Sequence, residues 1–82
     1  MTDAQLLERI VVKPEVMAGK PTIRGTRLSV EYVLNLLAHG ATFDGILQEY
    51  AGISRDDIQA CILFATKTLE SMAFMPVLAE ST

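Results

Sequence analysis

Lys20, Arg24 and Arg27 fall within one short stretch, GKPTIRGTRLSV, that also holds Gly19, Pro21 and Gly25. Gly25 permits a turn with positive φ, Pro21 stiffens the approach, and Thr22 and Thr26 offer hydroxyls, so the three cations would gather around a bend. The chemistry that suits such a bend is a phosphate clamp. It is not a Walker loop, because Lys20 follows the first glycine and no Gly-Lys-Ser/Thr closes the run. The same residues also fit a structural hairpin whose charges are merely solvated, and the pattern leaves both readings open.

Catalytic chemistry finds less support. His39 stands beside Gly40, where a histidine caps a helix C-terminus. Cys61 falls on the apolar face of a helix, as a small buried hydrophobe. No His, Cys or carboxylate cluster has metal-ligand spacing, and Asp56 and Asp57 read as first-turn helix acids rather than an acid–base pair. Tyr32 and Tyr50 lie on helix faces and need only a polar tip. No enzyme, metal or cofactor is expected.

The elements that must hold these residues change texture near Ser29. Before it, the β-prone pieces RIVV, PTI and TRLSV are punctuated by Pro14, Gly19, Pro21 and Gly25, which predicts an irregular hairpin bending at Arg24-Gly25. After it the period is helical. Val30, Val33, Leu34 and Leu37 share a face, with Ser29 as N-cap and Gly40 as the stop. Thr42 caps a second helix whose apolar face is Phe43, Ile46, Leu47 and Tyr50, with Asp44 and Glu49 outward and Gly52 supplying the next turn. Ser54 caps a third, with Asp57 three residues past the cap. That helix runs through Ile58, Cys61, Ile62, Ala65 and Leu69 to end near Met72, before Pro76.

The fold class expected is mainly α: a three-helix helix-turn-helix domain, homeodomain-like or winged-helix-like, with an N-terminal β-hairpin arm. Residues 1–82 form a single domain, made of a β-arm (1–29), a helical core (30–72) and an apolar C-terminal tail (73–82). With Gly52 as turn glycine, the helix-turn-helix must bury Leu47, Ala51, Ile53, Ile58 and Cys61, each apolar or small. The start of its last helix offers Arg55 and Gln59 to base edges, but Asp56 and Asp57 beside them would repel phosphates. Ala60, Leu63 and Phe64 fall opposite Ile58, Ile62 and Leu69. A helix so apolar all round calls for a core face plus a dimer or partner face.

Half of the 82 residues are hydrophobic. A domain of this size buries only about 60% of its unfolded surface, so a mate that covers apolar surface is expected. The single cysteine excludes an intrachain disulfide and suits a reducing cytoplasm. No run approaches the roughly 18 apolar residues of a membrane helix, so a soluble, cytoplasmic protein with no membrane partner is expected. The net charge of −3 hides an asymmetry: residues 1–29 hold five cations against three acids, and residues 30–82 hold two against seven. A basic arm can therefore supply a local patch on an acidic chain.

The run VKPEVMAGKPTIRGTRLSVEYVLNLLAHGATFDGILQEYAGIS, continuing into DDIQACILFA, resembles the small bacterial family known as domain of unknown function 433. Its pattern is a Pro-x-x-x-x-Gly-Lys-Pro-x-Ile-x-Gly-Thr-Arg arm followed by helices. The likeness spans about Ile10 to Lys67, and His39-Gly40 and the Tyr-x-Gly-Ile-Ser run from Tyr50 fall in register. Ala51 stands where the family often has Pro, which loosens that turn. The resemblance implies a VapB-type antitoxin: a helix-turn-helix protein encoded beside a PIN-like nuclease, which it neutralises while repressing its own operon. In that light Lys20, Arg24, Arg27, Arg55 and Gln59 are the candidates for contact with promoter DNA. Leu63, Phe64, Phe74, Met75, Val77 and Leu78 are the candidates for a dimer or nuclease interface, with the C-terminal apolar patch as anchor. The alternative is a dimeric protein-interaction module that binds no DNA. DNA gains weight if Arg24, Arg27 and Arg55 line one side, and the module reading gains if Asp56 and Asp57 dominate it.

Overall fold

Side-chain caps written into the sequence set each helix start. The computed structural model describes residues 1–72 and runs, in chain order, α1 (Asp3–Leu7), β1 (Ile10–Val11), β2 (Thr22–Ile23), α2 (Val30–Ala38), α3 (Phe43–Glu49) and α4 (Arg55–Glu70). The Ser29 and Thr42 hydroxyls accept the backbone N–H groups of Tyr32 and Gly45, each at 3.0 Å. At α4 the box is reciprocal: the Ser54 hydroxyl accepts the Asp57 N–H, and the Asp57 carboxylate accepts the Ser54 N–H at 2.9 Å. Each of these three caps is the residue expected. α4 ends at Glu70, two residues short of the expected stop. Among the described residues no helix is long and apolar enough to cross a membrane.

The domain is mainly helical with an N-terminal antiparallel hairpin, as expected. Its register pairs Ile10 with Ile23 and Val11 with Thr22. The third β-prone piece contributes one isolated bridge, Thr22 to Ser29, and no strand. Gly25 makes the bend at φ 81°, and Gly52 makes the α3–α4 turn at φ 93°. Two features go beyond what the sequence pattern predicts. One is α1, closed by a box in which Thr2 and Gln5 exchange side-chain and backbone bonds at 3.1 and 2.9 Å. The other is a left-handed turn at Met17 and Ala18, both with positive φ, locked by the Gly19 N–H on Val16 O and the Lys20 N–H on Met17 O.

The core joins Ile10 and Ile23 of the hairpin to Val30, Val33, Ile46, Ile58, Ala60 and Cys61. This corrects the expected facing of α4. Ala60 is fully buried, whereas Ile62 and Leu69 are 38% and 57% exposed. The buried stripe is 57, 58, 60, 61 with Phe64 packed against it, because α4 lies against α1, α2, α3 and β1 together rather than one partner face. Ala51, expected inside, is exposed at the turn, and Leu47 and Ile53 are half-buried. Burial, and then the negative charge of Asp57, push the Cys61 thiol up to about 12.

Candidate nucleic-acid interface

The bend of the hairpin is tied down before it meets any ligand. Arg24 donates from Nε and Nη2 to the Glu8 carbonyl at 2.9 and 2.6 Å, and its backbone N–H reaches the Arg9 carbonyl at 2.7 Å. A guanidinium forked onto the end of α1 satisfies a carbonyl that the short helix leaves open. The threonine hydroxyls are likewise engaged. Thr26 donates to the Ile23 carbonyl at 2.8 Å and accepts the Leu28 N–H at 3.0 Å, and Thr22, fully buried, donates to the Val11 carbonyl. Arg24, Thr22 and Thr26, expected to face a ligand, are therefore turn fasteners.

Beside this bend lies an open hollow of about 470 Å³. Its charged residues are Lys13, Arg24 and Arg27, joined by Gly25 and Thr26, and no acid among the described residues lines it. Neither Lys13 nor Arg27 forms an ion pair with another described residue. Lys13 adds to the arm's charge, but the sequence does not single it out, because only the fold brings the segment after β1 to the Arg24–Arg27 bend. Lys20 is not part of the hollow: its Nζ meets Glu31 of α2 at 3.2 Å, on an exposed surface.

Arg24 also walls a second, polar cleft with Gln5, Glu8, Arg9 and Asp57, which leads to the first turn of α4. Here Arg9 changes the electrostatics expected at that turn. Its Nη1 meets the Asp57 carboxylate at 3.0 Å and its Nη2 lies 3.8 Å from Asp56. Asp57 is 8% exposed and spent on Ser54 and Arg9, so it does not face a polyanion, and Asp56 is partly offset. Arg55 and Gln59, one helical turn apart, are both exposed. The Arg55 guanidinium meets Asp44 at 2.8 Å and stands 5.1 Å from the Phe43 ring centre, an exposed pair that phosphate can displace.

His39 is the C-cap of α2, and its Nδ1–H donates to the Asn35 carbonyl at 2.8 Å. Tyr32 and Tyr50 meet edge-to-face, ring centres 6.0 Å apart, with their hydroxyls hydrogen-bonded. That bond raises the pKa of Tyr50 above its ordinary value, aided by burial and by the negative charges nearby. Leu63 and Phe64 are half-buried, and Phe64 also walls an apolar groove between α2 and α4. Phe74, Met75, Val77 and Leu78 lie outside the described residues. Among those described, no three His, Cys, Asp or Glu side chains gather as metal ligands would.

These features define a small helical domain in which a hairpin arm is fastened to the first turn of a helix-turn-helix pair. Residues 10–65 match the family described as "Protein of unknown function (DUF433)", and the chain belongs to that family. It is also similar to a crystal structure of a DUF433 member protein from Anabaena variabilis ATCC 29413. The two are 28% identical with a TM-score of 0.71, over 82% of this chain and 67% of the other. No curated protein matches.

Proposed function

We propose that this protein is a dimeric, non-enzymatic DNA-binding regulator of antitoxin type, which represses its own operon and neutralises a PIN-like nuclease. The observation that carries the DNA half is the hollow in which Lys13, Arg24 and Arg27 gather with no acid among the described residues, continued by a cleft to the α4 turn where Arg9 neutralises Asp57. In this reading the hollow takes backbone phosphate, while Arg55 and Gln59 reach base edges. The nuclease half follows from the family resemblance, with the apolar surface of α4 and residues 73–79 as the anchor.

Binding to double-stranded DNA from upstream of the gene, titrated with salt, tests the first half. Replacing Lys13 and Arg27 with Ala should weaken binding to all sequences alike and lower the salt slope by about one unit for each phosphate no longer neutralised. Wild type that binds no such fragment at low salt sinks the DNA half. Truncation after Met72 should abolish rescue of cells expressing the neighbouring nuclease while promoter binding is kept.

A second reading, an interaction module that binds no DNA, is favoured by one observation. The groove between α2 and α4 is open and walled by Val30, Leu34, Ala38, Phe64, Ala65 and Leu69. Partner capture by a Lys13 and Arg27 double variant that is indistinguishable from wild type in every DNA assay would favour it.

A further inference from the structure

The hollow beside the hairpin bend combines cations with backbone donors. It measures about 470 Å³, within the roughly 300–1,000 Å³ of small-molecule sites. Lys13 and Arg27 form no ion pair with another described residue, and Arg24 adds a third charge that its bonds to Glu8 hold in place. Gly25 and Arg27 also line the hollow with their backbone, and among the described residues no acceptor takes their N–H groups. Gly25, at φ 81°, sets a left-handed residue in this row of amides, and such turns make anion-binding concavities of successive N–H groups. Val11 and Val16 supply an apolar wall. We propose that the hollow binds the terminal phosphoryl group of a small phosphomonoester or of free orthophosphate, a dianion held between Lys13, Arg27 and the amides of the bend.

Charge selects the ligand. A phosphomonoester carries about two negative charges near pH 7 and a phosphodiester only one, so two unspent cations match the monoester. Shape selects it again. A backbone phosphate continues into sugar on both sides, whereas a terminal phosphoryl group enters a hollow end-on and leaves any attached body to lie on Val11 and Val16. One wall is set before binding. The Val16 N–H donates to the Lys13 carbonyl at 2.9 Å, and the next two residues, Met17 and Ala18, hold left-handed backbone at φ 51° and 54°. That conformation is unfavourable for any residue with a Cβ, and strained backbone of this kind gathers where a site is preorganised. The inference rests on the reading of the hollow as a phosphate site and not on DNA binding itself. Where DNA binds, both ligands draw on Lys13 and Arg27, so the small one displaces the large.

Amide resonances of the full chain, titrated with adenosine 5′-monophosphate (AMP), read the site directly. The Gly25 and Arg27 signals should shift saturably, with half-saturation below about 1 mM. Cyclic AMP has the same body and one charge fewer, and should bind at least about fivefold more weakly. Lys13→Ala and Arg27→Ala, both at exposed positions, should each weaken AMP by about fivefold while circular dichroism and thermal unfolding stay unchanged. Orthophosphate that matches or exceeds AMP assigns the site to the free ion, and AMP ahead of orthophosphate assigns it to an organic monoester resting on the valine wall. Half-saturation above about 1 mM, equal binding of cyclic AMP, or binding that ignores both variants overturns the proposal. The DNA reading fails separately. Promoter DNA bound by a protein that takes neither AMP nor orthophosphate keeps that reading and overturns this one, and the reverse result removes the DNA half alone.

Discussion

The hairpin bend and the α2/α4 groove are built on opposite principles. The bend is held by named polar bonds from Arg24, Thr22 and Thr26, and it leaves Lys13 and Arg27 unspent by any described ion pair. The groove is lined mostly by apolar side chains, with Glu31, Asn35 and Thr68 as its polar members. A polar site whose own groups are satisfied internally presents only its surplus, here positive charge. An apolar site presents everything it has not buried, and so asks for a cover.

Both regions are mounted on one core, and the largest effect expected tests that premise. Cys61 is fully buried with its thiol pKa pushed up to about 12. Thiol reagents at neutral pH should label it about five-thousandfold more slowly than an unfolded control, for a domain of about 5 kcal/mol stability. The folded state holds the Cys61 proton above the pH at which the unfolded chain loses it. Stability should therefore fall as pH rises from about 9 towards 12, and urea titrations of Cys61→Ala should show a flatter alkaline limb.

Next in size is the tie between arm and helix. Arg9→Ala strands the mostly buried Asp57 and should cost about 2–3 kcal/mol in urea unfolding, less than a fully buried pair because Arg9 is a third exposed. A loss below about 0.5 kcal/mol would mean that arm and core are independent. Gly25→Ala should cost about 1 kcal/mol, from backbone alone, since a Cβ there meets nothing within 4 Å. The smallest effect is at the outer edge. Arg55→Ala breaks an exposed pair with Asp44 and should change stability by under about 1 kcal/mol, so any large change in DNA affinity there reports contact rather than folding.

The parts legible in the sequence are those that depend on neighbours in the chain. Ser29, Thr42 and Ser54 with Asp57 announce their helices because a cap acts over three residues, and Gly25 and Gly52 announce turns because few other residues adopt positive φ. The parts that escape it depend on distant residues or on ambiguous periodicity. Arg9 and Asp57 are 48 positions apart, and nothing local in RIVV points to a buried acid. The run from Ile58 to Ala65 is apolar on nearly every side, so the pattern cannot select which stripe faces inward, and Ile62 and Ala60 exchange their expected places. α1 is too short to show a period, though its Thr-x-x-Gln box is a legible cap signal.

The fork of Arg24 on the Glu8 carbonyl has a thermodynamic consequence. A ligand that reaches the hairpin bend finds its backbone already fixed to α1, so association there includes little loop ordering and little coupled folding. Calorimetry should then give a small heat-capacity change, set by the surface covered. Cutting the fork with Arg24→Lys should make the heat capacity more negative as ordering moves from the folding step into the binding step.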